Sequence, residues 1–314
     1  MPARHARRGA VAGARRGAVG TCVARPAQEP SIDGATRVVG VIGDPIAHTR
    51  SPAMHNAAFR ALGMNWAYLP FRVADNDVGA ALEGARALGL RGLNVTVPHK
   101  QAVIPHLDRL TDRAKACRAV NTVVMHEDGT LAGDNTDVVG LERALVEAGL
   151  GRRRIDLAVL LGAGGSARAA VAALGGRARR VAIAARRPDR AHALAREMRR
   201  VTSAELVALD LADLAPGGPA ARELLGAASV VVNATSLGMH GEAFAPLDVA
   251  ATTAHCLFYD LVYTRARTPF LAPAARRGRP VANGLGMLLH QGAAAFTAWT
   301  GRRAPIEAMR RALR

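Results

Sequence analysis

From Arg37 onward the apolar positions follow two alternating rhythms: short unbroken runs of aliphatic residues, and longer stretches in which apolar residues return every third or fourth position. The runs 38–42, 66–73 and 92–97 predict strands, and the periodic stretches 52–62, 77–88 and 101–109 predict helices. Ser51 reads as the N-cap of the first helix, with Pro52 at its first position. Residues 117–125 predict a strand or hairpin arm, with a turn at Glu127, Asp128 and Gly129, and a helix runs from Asp137 to Ala148. A second series opens near Ile155. It contains strand 156–161, an Ala-rich helix to Leu174, and strands 180–185, 229–233 and 257–262. Strand and helix in alternation imply an α/β fold built on open, mostly parallel sheets, in which ligands lie beyond the carboxyl ends of the strands. Residues 43–51, 96–100 and 135–137 all fall at such ends.

Length and composition narrow the reading. At 314 residues the chain suits two domains. No run of 18 apolar residues occurs, so no membrane partner is expected. The three cysteines, Cys22, Cys117 and Cys256, show no CxxC spacing, so neither a metal site nor a disulfide framework is indicated, and a reducing cytoplasmic setting is expected. The net charge of +17 raises nucleic acid as a partner. Yet the arginines are spread along the length, aromatic residues make up only 4%, and no basic recognition motif can be read, so none is expected. A positive field also suits anionic small molecules. Residues 1–36 are rich in Arg, Ala and Gly and read as a disordered basic extension, with an organellar transit peptide as the alternative.

The chain holds 40 Arg and only two Lys, Lys100 and Lys115. A guanidinium cannot release a proton in a protein, whereas an amine can. Lys100 follows a buried strand where a helix is expected to begin; the positive end of that helix would disfavour the ammonium. It is therefore a candidate proton-transfer group, or else a solvated lysine at a helix start. In the second series, Gly162, Gly164 and Ala167 match G-x-G-x-x-G/A between a strand and a helix, the turn that brings backbone close to a pyrophosphate. About 20 residues on, where an acid would select NAD, stand Arg186 and Arg187, with Arg190 one turn further. Guanidinium groups there suit a 2′-phosphate and favour NADP, although Asp189 is close.

Taken together, seven segments resemble the shikimate dehydrogenases. They are Gly43-Asp44-Pro45-Ile46 with His48-Thr49-Arg50-Ser51-Pro52 and His55-Asn56; Asn94-Val95-Thr96-Val97-Pro98-His99-Lys100; Ala119-Val120-Asn121-Thr122; Gly133-Asp134-Asn135-Thr136-Asp137; Gly162-Ala163-Gly164-Gly165; Asn233-Ala234-Thr235-Ser236-Leu237-Gly238-Met239; and Gly284-Leu285-Gly286-Met287-Leu288 with Gln291. The resemblance implies a substrate domain over 37–137 completed by 283–314, and a Rossmann NADP-binding domain over 138–282. It implies NADP (NADPH) as cofactor and reversible reduction of 3-dehydroshikimate to shikimate, by a monomer or homodimer; quinate or aminoshikimate dehydrogenase is the alternative, and a non-catalytic cofactor-binding regulator a remote one. By the same likeness Lys100 and Asp137 are the catalytic pair. Thr49, Ser51 and Tyr263 would hold the substrate carboxylate, and Thr96, Asn121, Asp137 and Gln291 its ring hydroxyls. Gly162, Ala163, Gly164, Gly165, Ser166, Ala185, Arg186, Arg187, Arg190, Leu261, Gly284 and Asp112 would meet the cofactor. Each also has a plain structural reading: Ser51 and Asp137 as N-caps, Thr96 as a strand residue, Gln291 as a helix-surface amide, Tyr263 as a core aromatic. His48, His55 and His99 read as structural. The chain departs from the family pattern at Thr49, where Ser is usual, at Ala185-Arg186-Arg187, where Asn-Arg-Thr is usual, and at Arg265, where Pro is frequent.

Overall fold

A computed structural model describes residues 32–314, so most of the expected basic extension lies outside the described residues. Residues 33–36 already pack: Asp33 Oδ1 accepts from Asn65 Nδ2 (2.8 Å) and Thr36 Oγ1 donates to Asn65 Oδ1 (2.7 Å).

Two six-stranded sheets carry the fold. The first is built from β1 (Arg37–Gly43), α1 (Ser51–Ala61), β2 (Trp66–Arg72), α2 (Val78–Ala87), β3 (Gly92–Val95), β4 (Arg109–Leu110), α3 (Asp112–Cys117), β5 (Thr122–Met125) and β6 (Leu131–Asp134). Its strand order is β2-β1-β3-β5-β6-β4. Only β5 runs against its neighbours, because it and β6 form a hairpin through the turn at Gly129. Helix α4 (Thr136–Leu145) leads to the second sheet, made of β7 (Ile155–Leu161), α5 (Gly165–Gly175), β8 (Ala178–Ala185), α6 (Pro188–Met198), β9 (Glu205–Asp210), β10 (Ala228–Asn233), β11 (Leu257–Asp260), α7 (Leu271–Arg276) and β12 (Val281–Ala282). Its order, β12-β11-β10-β7-β8-β9, is wholly parallel and reverses beside β7, the doubly wound arrangement with its crevice at the switch point. The strands are buried on both faces, which accounts for their unbroken apolar runs.

Helices α8 (Leu285–Thr300) and α9 (Ile306–Ala312) return to the first sheet. There Leu289, Phe296, Trp299 and Met309 share one core with Val39, Met54 and Phe59. Trp299 Nε1 donates to the Val123 carbonyl (2.9 Å), and its indole fills the space where a Cβ on Gly92 would stand. On the way α8 crosses α4 closely: a Cβ on Gly140 would fall 2.7 Å from that of Gln291. The outer edge of β2 is covered by α1, where Asn56 donates to the Tyr68 carbonyl (3.0 Å) and accepts from the Tyr68 amide (2.8 Å).

Three local expectations are corrected. No α-helix spans 101–109; residues 98–103 form turns, Ile104–His106 is a single 3-10 turn, and β4 follows. Pro105 lacks the amide and sterically opposes the turn before it, so the apolar spacing there cannot be realised as a helix. Helix α3 was unpredicted, being six residues long and capped by Thr111, whose hydroxyl accepts from the Ala114 amide (3.3 Å). Neither Ser51 nor Asp137 is an N-cap: Arg50 and Asn135 hold those positions, and Ser51 and Asp137 lie in the first turns of their helices.

Candidate active site

The carboxyl ends of both sheets face one cleft of about 1140 Å³. Lys100 stands on its wall within the turns that follow β3. Its backbone is tied down where the Val120 amide donates to the Lys100 carbonyl (2.7 Å). The helix dipole expected to act on Lys100 is absent, since no helix starts there. Instead its Nζ donates to Asp137 Oδ2 at 2.6 Å, with 12% and 7% of the two side chains exposed.

Asp137 is held in turn. Asn121 Nδ2 donates to Asp137 Oδ1 (2.8 Å) and lies 3.3 Å from Gln291 Oε1, while Asn121 Oδ1 accepts from the Thr136 amide (2.7 Å) that opens α4. Behind it, Asn94 Nδ2 donates to the Asn121 carbonyl (3.1 Å), and Asn94 Oδ1 accepts from the Tyr68 hydroxyl (2.8 Å). The ring of Tyr68 stacks on His55 at 4.4 Å, and both are fully buried. Burial pushes the Tyr68 phenol well above its usual range, with the neighbouring Ser51 hydroxyl opposing. It pushes His55 down to about 3, so that imidazole is neutral. One polar network thus joins β2, β3, β5, α4 and α8 around the lysine–aspartate pair.

The other wall is the second sheet. Gly162 ends β7 at φ 109°, a left-handed conformation, and a Cβ there would fall 2.9 Å from Thr235 Cγ2. Gly164 and Gly165 have open space above them at the start of α5. Ala163 and Ser166 complete the turn on the cleft wall, with Ala185, Arg186, Arg187 and Arg190 beside it. The three arginines are exposed and make no ion pair among the described residues, so a dinucleotide phosphate meets a bare glycine turn, a helix start and free guanidinium groups. The donor set fits NADP. Buried Asp260 fixes the neighbouring strand ends: Asn233 Nδ2 donates to it (2.8 Å), as do the Thr268 hydroxyl and the Val262 amide.

Of the remaining sequence-predicted residues, Tyr263 and Leu261 line the cleft. Gly284 backs onto Leu261, where a Cβ would meet that carbonyl at 2.2 Å. Thr49 Oγ1 accepts from the Ser51 amide (3.3 Å), Ser51 is buried beside Tyr68, and Thr96 packs its methyl against Gly43. Gln291 is buried, not a surface amide. Thr49, Ser51, Thr96, Asn121, Asp137, Gln291 and Gly284 do not themselves line the cleft, and Asp112 stands furthest from the predicted set, its carboxylate fully exposed at the start of α3 and 3.8 Å from Lys115. Sequence reasoning assigned no role to Asn94, Thr136, Tyr68, Arg50 or Gln101. The one available signal was Asn94, a polar side chain inside an otherwise apolar strand.

Comparisons with known proteins agree with this geometry. The family model for the shikimate dehydrogenase substrate binding domain matches residues 41–123, and that for the shikimate 5′-dehydrogenase C-terminal domain matches 284–314. The chain is 47% identical over 285 residues to the shikimate dehydrogenase (NADP(+)) of Citrifermentans bemidjiense, covering 90% of this chain and 96% of that one. Among solved structures, shikimate 5-dehydrogenase from Listeria monocytogenes in complex with shikimate and NAD superposes with a TM-score of 0.81 at 34% identity, covering 90% of this chain and 98% of the other. Quinate dehydrogenase from Corynebacterium glutamicum in complex with NAD gives 0.79 at 33% identity, covering 88% and 98%. With near full-length identity of this order, the chain belongs to the shikimate dehydrogenase family.

Proposed function

We propose that the chain catalyses the reversible NADPH-linked reduction of 3-dehydroshikimate to shikimate, a step toward the aromatic amino acids. The reading is carried by the Lys100–Asp137 pair, 2.6 Å apart on a cleft whose opposite wall is the glycine turn with its arginines. NADPH, when bound, supplies the hydride that reduces the carbonyl carbon. Gly162, Ala163, Gly164, Gly165 and Ser166 would hold its pyrophosphate, Ala185, Arg186, Arg187 and Arg190 would take the adenosine end, and Leu261 and Gly284 would contact it further along. Asp112, fully exposed and facing Lys115, is left out of this set.

As the substrate carbonyl oxygen gains charge, Lys100 Nζ gives it a proton, and in the oxidative direction takes one back. Asp137 aims the amine through Oδ2 and accepts from the substrate hydroxyl once the proton is in place; Asn121 keeps that carboxylate from turning. Thr96, Asn121 and Gln291 meet the other ring hydroxyls, and the 3.3 Å contact between the last two is the one most easily exchanged for substrate. Thr49, Ser51 and Tyr263 hold the carboxylate. A cytoplasmic setting accords with the buried free thiols of Cys117 and Cys256.

The test is initial-rate absorbance at the nicotinamide band with shikimate or quinate and NADP or NAD in all four pairings. Shikimate with NADP is expected to give the highest kcat/KM. A maximum with quinate would move the protein to the quinate dehydrogenases, where the extra methyl of Thr49 would be the first residue to inspect. Turnover with no pairing would refute the proposal.

A further inference from the structure

Thr49, Ser51 and Tyr263 offer the substrate carboxylate only hydroxyls. Between the first two stands Arg50, whose side chain lines the same cleft as His48, Lys100 and Tyr263. It is half-buried, yet no carboxylate among the described residues lies within ion-pair distance of it. Several arginines elsewhere in the fold are matched, Arg72 with Asp44, Arg113 with Asp134, Arg168 with Glu197 and Arg310 with Glu147.

A guanidinium presents five N–H donors in a planar fork. One bond is made within the described residues, from Nη2 to the Leu313 carbonyl (2.6 Å) at the end of α9. That carbonyl belongs to the negative end of a helix, so it fixes the cation without neutralising it. Its other donors make no hydrogen bond among the described residues, and the side chain lines the cleft while already partly removed from water. Arg50 also acts on its neighbour: burial pushes the Tyr263 phenol up, and the positive charge of Arg50 opposes that shift. The cation therefore sits near the Tyr263 hydroxyl.

We propose that Arg50 supplies the positive charge that meets the substrate carboxylate, making it a determinant of specificity for acids. This rests on the function proposed above. A forked charge-assisted contact is stronger and more directional than hydroxyl contacts alone, so the acid is separated from an uncharged analogue of the same shape.

The test uses the full chain with Arg50→Gln and Arg50→Lys. Arg50→Gln should raise KM for shikimate about ten-fold, the size of one good contact to charge, while kcat and KM for NADP move far less. Wild-type kcat/KM for shikimate should fall as salt rises and that of Arg50→Gln should be nearly flat. Shikimate methyl ester, used as a competitive inhibitor, should bind the Gln variant as well as it binds wild type. Arg50→Lys keeps the charge and should regain most of the loss; should the Gln variant fail to fold, its salt profile decides the matter, a slope like that of wild type supporting the proposal and a flat one overturning it. An unchanged KM for shikimate, a parallel rise in KM for NADP, or equal losses for acid and ester would overturn the proposal. Absence of shikimate turnover in wild type would sink the proposed function itself, and this inference with it.

Discussion

Replacing Lys100 by Arg separates the two things an amine can do at this site. The pair it forms with Asp137 is short and nearly buried, with 12% and 7% of the side chains exposed. Lys100→Ala would leave the carboxylate with Asn121 as its remaining side-chain donor. Breaking a buried pair from one side costs about 3–5 kcal/mol, and the slight exposure puts this site at about 3. Arg keeps the charge, so Lys100→Arg should retain most of that stability. A guanidinium cannot pass on a proton at any working pH. Both variants should therefore lose turnover by about 100-fold or more, which corresponds to about 2.7 kcal/mol of barrier. The assay is kcat from initial rates of shikimate oxidation, alongside thermal melting. If Lys100→Arg kept more than a tenth of wild-type turnover, charge alone would suffice and Lys100 would not be the proton carrier.

Further outcomes follow from the second wall and from the buried network. Changing Arg186 and Arg187 together to Ala should weaken NADP much more than NAD in a binding titration; equal weakening would reduce both arginines to surface charge. Gly162→Ala forces a side chain onto φ 109° and against Thr235, so NADP affinity should fall at least ten-fold and melting should drop. His55 stays neutral in the fold down to about pH 3, whereas in the unfolded chain it takes up a proton near its ordinary 6.5. Between those values the unfolded state binds the extra proton, so this residue costs stability as pH falls; at pH 5 the loss is about 2 kcal/mol. His55→Leu should flatten that acid limb in denaturation midpoints measured at pH 7 and pH 5, and an unaltered slope would refute the assignment.

The glycine turn, the Thr96–Lys100 segment and the β5–β6 hairpin were legible because each is a local pattern in which neighbouring residues state their own geometry. The segment 101–109 misled because helical spacing was weighed above Pro105, whose missing amide ends any helix begun at Lys100. Helix α3 is too short for periodicity to register. The surroundings of Asp137 were legible only through likeness to the family. Asn121 meets it across 16 residues and itself meets Gln291 across 170, and no local rhythm reports on contacts of that span. Arg50 escaped notice for another reason: in a chain with 40 arginines, one more between two hydroxyls carries little weight until its lack of an acidic partner can be seen.

The return of α8 and α9 to the first sheet bears on how the chain comes into being. The layer over β1 and α1 is closed by Phe296, Trp299 and Met309, and Arg50 waits for the carbonyl of Leu313, 263 residues away. During synthesis the second sheet, whose strands and helices are all local to one stretch, can condense while the earlier half still exposes Val39, Met54 and Phe59. The half made first thus completes its core only after α8 and α9 have followed, and the network around the lysine–aspartate pair waits for Gln291.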